Sequence, residues 1–192
     1  MKIMEFYNQA KQDIIQKGYK NEIEIVENRT LNEITSGQFF WEYTYVVLNA
    51  GMKNQVAEKM YQRFASKGID TVKHPGKKKA IEYAMKNYKR WFRELKKLDS
   101  TIDKLVFLKS LPWIGDVTKY HLARNLGIDV AKPDRHMVRL ANSFGYDSDV
   151  MCMCNDISKK VGDRIGTVDV VLWRYCNLNP DYRSKLILKG LK

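Results

Sequence analysis

The chain has 192 residues, 44% of them hydrophobic, enough to bury a core in one domain or two closely packed lobes, so disorder is not the default. Lys and Arg number 34 against 22 Asp and Glu, a formal charge of +12 that suits a polyanion, either nucleic acid or an anionic membrane. No apolar run approaches the roughly 20 residues needed to cross a bilayer, and the opening MKIMEFYNQAKQDIIQKGYK places charges where a secretory signal would be apolar, so an intracellular, non-secreted protein is expected.

Long β-branched alternations are absent, only four prolines occur, and apolar residues recur at helical intervals, which predicts an all-α fold. The segment NEIEIVENRTLNEITSGQFF is the least clear. Its IEIVE alternates as a short strand or an irregular turn would, and loop or helix is the expectation there. From Gln38 to Phe64 an apolar helix, a break at NAG and a second helix with Val56, Met60 and Phe64 four apart predict a helical hairpin. SKGIDTVKHPGKKK, with Gly, Pro and a lysine run, is predicted as loop, and the helix AIEYAMKNYKRWFRELKKL follows it. In DSTIDKLVFLKSLP, Ser100 or Thr101 caps a helix, Asp103 sits near the reciprocal position and Pro112 ends the element. The tail GTVDVVLWRYCNLNP holds one more helix, closed by Asn and Pro. No internal repeat of roughly 20 to 50 residues is visible, which argues against a solenoid.

Cys152, Cys154 and Cys176 make an odd count that fits buried thiols in a reducing compartment better than a disulfide framework. They and His74, His121 and His136 form no recognised zinc pattern, and no cofactor is expected.

Two stretches carry chemistry. In LKSLPWIGDVTKYHLARNLG, a turn with Pro112 and Gly115 lies between two helices. Successive N–H groups at a helix start make an anion site, because they lack intrahelical partners and the dipole adds positive potential. A plain helix-turn-helix corner has the same spacing, and spacing alone leaves the two open. One helix later, in AKPDRHMVRLANSFG, Pro133 holds Lys132 extended and Asp134 starts a new helix. Taken alone, such an aspartate is a cap for free N–H groups.

Together these pieces resemble the helix-hairpin-helix DNA glycosylase superfamily, which includes endonuclease III. The resemblance rests on LPWIG with Thr118 three residues beyond Gly115, then a helix, a short loop, and D-x-H-x-x-R at Asp134, His136 and Arg139. Members show Leu-Pro-Gly-Val-Gly with a Thr-Ala pair, then Val-Asp-Thr-His and an Arg. WEYTYVVLNAGMKNQVAEKMYQRF is also similar to the family's helix-loop-helix, whose loop enters the space left by an extruded base. The likeness covers Trp41 to Gly145, about half the chain.

The resemblance implies a two-lobed helical fold with a cleft between lobes: one glycosylase unit over 1–192, a core at 41–145 with its hairpin at 107–126, and a second lobe from 1–40 and 146–192. It implies a monomeric enzyme on duplex DNA that flips out a damaged, modified or mispaired base and hydrolyses its N-glycosidic bond. Asp134 takes the catalytic position, where a carboxylate stabilises positive charge on the sugar and positions the nucleophile. Ile114, Gly115, Val117 and Thr118 fall where the hairpin grips a phosphate. Lys53, Asn54 and Gln55 fall in the intruding loop, and Lys119, Arg135 and Arg139 are further candidate DNA contacts.

Two departures matter. Members that also cleave the backbone carry a lysine two residues after the last hairpin Gly, where this chain has Val117. Lys119 lies two residues on, about 200° round a helix, so water is the expected nucleophile and Lys119 the alternative for a lyase. Trp113 replaces the first hairpin Gly, and would have to adopt an ordinary conformation or fill a pocket, reshaping the hairpin. Some members hold an iron–sulfur cluster on four cysteines, and three do not suffice here.

Trp41, Tyr45, Tyr120 and His121 are candidates for a base pocket, since aromatic faces stack on any nucleobase. Core packing explains each of them as well. The lysines at 77–79 and the basic set in KNYKRWFRELKK are predicted to supply some phosphate contacts. A non-catalytic hairpin DNA-binding module is the rival reading from another class, disfavoured by an acid within an intact D-x-H-x-x-R. A membrane-surface protein comes last, because the basic residues are scattered over many helices.

Overall fold

The computed structural model describes residues 2–182 and Ser184. Among them are ten α-helices, one short 3-10 turn and no strand, the all-α architecture that the spacing predicts. No helix among the described residues is long and apolar enough to cross a membrane. Two units form, one of Thr30–Ile128 and one of Met1–Arg29 with Asp129–Lys192. The division falls elsewhere than the expected 41–145 core. Residues 129–145 join the chain ends because Ala131, Met137, Leu140 and Ala141 are buried in the same core as Phe6, Tyr7 and Ala10.

In the 30–128 unit, α3 (Ser36–Asn49) is opened by a capping box: Thr35 Oγ1 accepts from the Gln38 N–H at 3.2 Å, and the Gln38 side chain accepts from the Thr35 N–H at 2.8 Å. Phe39, Tyr43, Val46 and Val47 recur on a helical period, and all are buried where α3 packs against α4 (Asn54–Lys67), α5 (Pro75–Lys96) and α7 (Thr118–Asn125). On α4 Phe64 is buried and Met60 half-buried, as the spacing predicts, while Val56 is exposed and Ala57 beside it is buried in its stead. The expected loop after α4 is shorter than predicted. A 3-10 turn spans Ile69–Thr71, and Pro75 opens α5 because its fixed φ suits a first helical position and its missing N–H would have no partner there.

That early start overturns the phosphate-contact expectation for Lys77. Its side chain is buried, and its Nζ donates to the carbonyls of Leu48 at 2.7 Å and Ala50 at 2.8 Å, where α3 ends. The last carbonyls of a helix have no intrahelical donor, and the ammonium supplies one. Burial pushes its pKa below the ordinary lysine value. Lys78 pairs with Asp70 at 2.9 Å, and Lys79 is exposed. Ser100 caps α6 (Thr101–Ser110) as predicted, accepting from the Asp103 N–H at 3.0 Å.

The other unit is built round α10 (Ile165–Leu178), buried on nearly every side by α1 (Ile3–Gln16), α2 (Lys20–Asn28), α8 (Arg135–Ser143) and α9 (Val150–Val161). The ambiguous IEIVE stretch is helical: it lies in α2, whose last carbonyls are taken by the Arg164 guanidinium, donating to Val26 O at 3.1 Å and Arg29 O at 2.5 Å. Cys154 and Cys176 are buried thiols; Cys152 is exposed, against expectation, because it lies on the outer side of α9.

Candidate nucleic-acid interface

The turn between α6 and α7 is made by Leu111, Pro112, Trp113 and Ile114. Ile114 N–H donates to Leu111 O at 3.1 Å, proline stands at the second position, and Trp113 at the third has φ 66°. This is the pattern of a type II turn, whose third position calls for glycine. Of the two expectations for Trp113, an ordinary conformation or the filling of a pocket, the first does not hold: it takes the left-handed conformation, at a cost of about 1–2 kcal/mol for a residue with a Cβ. Two features hold it. The buried Tyr43 hydroxyl donates to Pro112 O at 2.6 Å, fixing the peptide that precedes Trp113. The indole lies directly on Gly76 of α5, where an added Cβ would sit 2.3 Å from the ring.

Beyond the turn, Thr118 Oγ1 accepts from the Gly115 N–H at 2.7 Å, so that amide is already used. Among the described residues, no backbone carbonyl accepts from the N–H of Asp116, Val117 or Thr118, which leaves these three at the start of α7 for an anion. The Ile114 side chain is buried, and its N–H is already given to Leu111 O. Val117 is the N-cap residue of α7 and is exposed, with no amine at that position. Lys119 Nζ lies 3.5 Å from Asp116 and 5.2 Å from the centre of the Tyr120 ring. Asp116, unremarked in the sequence, also pairs with Lys109 at 2.6 Å; these two lysines, Lys109 first, hold its carboxyl below the usual range. A carboxylate beside an anion site repels a phosphate. Asp116→Asn is accordingly expected to tighten duplex DNA binding by about threefold to tenfold at low salt, and by less as salt rises, in a fluorescence anisotropy titration.

The loop between α3 and α4 is shorter than the sequence suggested. Lys53 is the N-cap residue of α4, and Asn54 and Gln55 are its first helical residues. Lys53 and Gln55 are exposed, whereas Asn54 Oδ1 accepts from Tyr45 Oη at 2.9 Å and Asn49 Nδ2 at 3.1 Å. Tyr45 also meets His121 edge-on with ring centroids 6.0 Å apart, so the structure brings together three residues that the sequence had separated. His121 is buried. Trp41 meets this group through Tyr61, which packs edge-on against both Trp41 and Tyr45 and carried no sequence signal. Beside Trp41 lies an open cavity of about 320 Å³ lined by Gln38, Trp41, Glu42, Tyr61 and Ala65. The Tyr120 ring instead carries the Lys119 ammonium.

In the other unit, Asp134 is the N-cap residue of α8. One carboxylate oxygen, Oδ1, accepts both the His136 N–H at 2.9 Å and the Met137 N–H at 3.2 Å. Among the described residues no protein donor reaches Oδ2. Arg135 and Arg139 are exposed one turn apart on α8. Behind Asp134, His136 Nδ1 lies 3.2 Å from Tyr182 Oη, and the Cys176 thiol is pushed up first by burial and then by the Asp134 charge. Tyr182, 46 residues from His136, could not be found from spacing. No cluster of three His, Cys, Asp or Glu among the described residues is arranged to hold a metal ion.

Burial pushes the His136 pKa below its ordinary value; Asp134 opposes this, and Arg135 and Arg139 add to it. The unfolded chain thus binds this proton at higher pH than the folded one. The stability contributed by the neutral ring is whole above about pH 6.5 and falls as pH drops from there through the folded value. Thermal melts should show the gap between wild type and His136→Gln narrowing on acidification from pH 7.5 to 5, because the variant lacks the titrating ring.

No protein-family model matches the chain, and no curated protein matches its sequence. Among solved structures it is similar to the crystal structure of Methanocaldococcus jannaschii 8-oxoguanine glycosylase/lyase in complex with a 15mer DNA containing 8-oxoguanine. The TM-score is 0.68 at 17% identity, over 90% of this chain and 96% of that one. At such identity the likeness is one of fold, and the chain shares the all-α fold of that glycosylase/lyase.

Proposed function

We propose that the protein is a DNA N-glycosylase, acting as a monomer on duplex DNA, that extrudes a damaged, modified or mispaired base and releases it by hydrolysis. The observation that carries this reading is Asp134: its Oδ1 satisfies the first turn of α8 while Oδ2 is left over, on a chain with the glycosylase fold. A fixed carboxylate oxygen at that position stabilises the cationic sugar as the bond to the base breaks, and its advantage grows as water is excluded. Water then adds its oxygen to C1′, its proton passes to Asp134 or solvent, and the base departs with the bonding electrons and is protonated.

The free hairpin amides with Lys119 would hold the backbone, Lys53 and Gln55 would enter the space left by the base, and Arg135 and Arg139 would contact phosphates. Trp41 and Tyr45 are the aromatic surfaces offered to the base, with the buried His121 packed edge-on against Tyr45. Oxidised guanine is the first substrate to test, because the similar structure holds 8-oxoguanine. Hydrolysis rather than lyase chemistry is favoured because Val117 offers no amine and Lys119 is engaged with Asp116.

The test is base release from duplexes that each carry one modified base, beginning with 8-oxoguanine, with alkali to reveal abasic sites. Release without strand cleavage, and without a borohydride-trapped adduct, supports hydrolysis. An adduct lost in Lys119→Gln would replace it with a lyase. Duplex binding with no release from any substrate would leave a non-catalytic binder.

A further inference from the structure

We propose that Trp113 is a DNA-contacting residue, its exposed indole face laid on the sugar-and-base surface of the strand whose phosphate the hairpin amides take. The inference rests on the glycosylase reading for its ligand and assigns the hairpin a nonpolar contact beside its polar one.

Three observations converge. First, Trp113 stands at the turn position that glycine occupies without strain, so a tryptophan there weakens the turn rather than making it. Second, its presentation is over-determined: Pro112 sets the turn, the Tyr43 hydroxyl fixes the preceding peptide, and Gly76 lets the indole approach α5 closely. His74 meets its ring at 5.0 Å, nearly edge to face. Third, with all this support the residue is still 42% exposed. A tryptophan held in a strained backbone only to fill the core would be covered, whereas this one packs on Gly76 and His74 and is still open to solvent.

Charge identifies the ligand. Lys73 and Lys79, both exposed, lie within three residues of Gly76, and the unused hairpin amides follow three residues after Trp113. An exposed aromatic ring with lysines and anion-seeking amides close by in the chain suits a nucleic-acid strand, which offers phosphate and stacking surface side by side. An apolar protein partner would leave those cations uncovered.

Two variants test this in opposite ways. Trp113→Gly deletes the indole and relieves the turn; Gly76→Ala keeps the indole but displaces it from α5. Both are expected to melt close to wild type and to weaken binding of a short fluorescein-labelled duplex by about tenfold, as loss of one aromatic stacking contact does. The slope of log Kd against log salt should stay that of wild type, because no phosphate contact is lost. Wild-type affinity in both variants would overturn the inference while leaving the glycosylase reading intact. A shallower salt slope with a large drop in melting temperature would also overturn it, since Trp113 would then be a prop for the phosphate-binding turn. Duplex binding without base release by wild type would defeat the glycosylase reading alone, and no duplex binding by wild type would defeat both.

Discussion

Asp134→Asn should lower the rate of base release by about a hundred- to a thousandfold while leaving duplex affinity and melting temperature close to wild type. The separation follows from the two oxygens of this side chain. Both hydrogen bonds that open α8 fall on Oδ1, and asparagine, nearly equal to aspartate as a helix cap, keeps that acceptor. What it loses is the negative charge, worth about 0.5 kcal/mol against the helix dipole but far more against a developing cation in a water-poor site. Asp134→Ala removes the cap as well and should cost about 1 kcal/mol of stability beyond the asparagine variant. Single-turnover release assays and thermal melts on the three proteins check both statements. Equal release by wild type and Asp134→Asn would reduce Asp134 to a cap.

Lys77→Met should destabilise the 30–128 unit by about 2–3 kcal/mol, or about 5–10 °C in melting temperature. Methionine fills much of the same volume but donates nothing to Leu48 O and Ala50 O, which the ammonium now caps at 2.7 and 2.8 Å. The loss also reaches function. Those carbonyls end α3 and lead into residues 51–53, so the variant should bind lesion-bearing duplex less well even at temperatures where it is folded. Lys79→Met, changing an exposed neighbour on the same helix, is the control and should leave stability within about 0.5 kcal/mol of wild type.

The contrast between Lys77 and Lys79 shows where sequence reasoning stops. In the chain they belong to one lysine run that suggests phosphate binding, and nothing local distinguishes them. Packing decides: α5 begins at Pro75, which turns Lys77 inward to the end of α3 and leaves Lys79 in solvent. Trp113 teaches the same lesson from the other side. Its substitution for glycine was visible, but the consequence depended on Tyr43 and Gly76, some 70 and 37 residues away, which hold the turn in its left-handed conformation and make space for the ring. The Tyr45–Asn54–His121 group and the His136–Tyr182 pair were likewise illegible, because hydrogen bonds and ring contacts between distant segments leave no periodic trace.

Helical class, the cap at Ser100, the turn at Pro112 and the placing of Asp134 at a helix start were determined by the sequence itself, since periodicity, caps and proline act over a few residues. The motif order from LPWIG to D-x-H-x-x-R belongs to that same local record. Only the tertiary structure decided which residues share a core, so that Ala131, Met137, Leu140 and Ala141 are buried with Phe6, Tyr7 and Ala10. It alone decided which polar groups are spent, such as Asn54 Oδ1 and the Gly115 amide, and which stay open, such as Asp134 Oδ2 and the amides that start α7. The physical reason is that burial and hydrogen-bond satisfaction belong to the assembled chain: each donor or acceptor must find a partner in space, and the identity of that partner is set by packing over the whole unit.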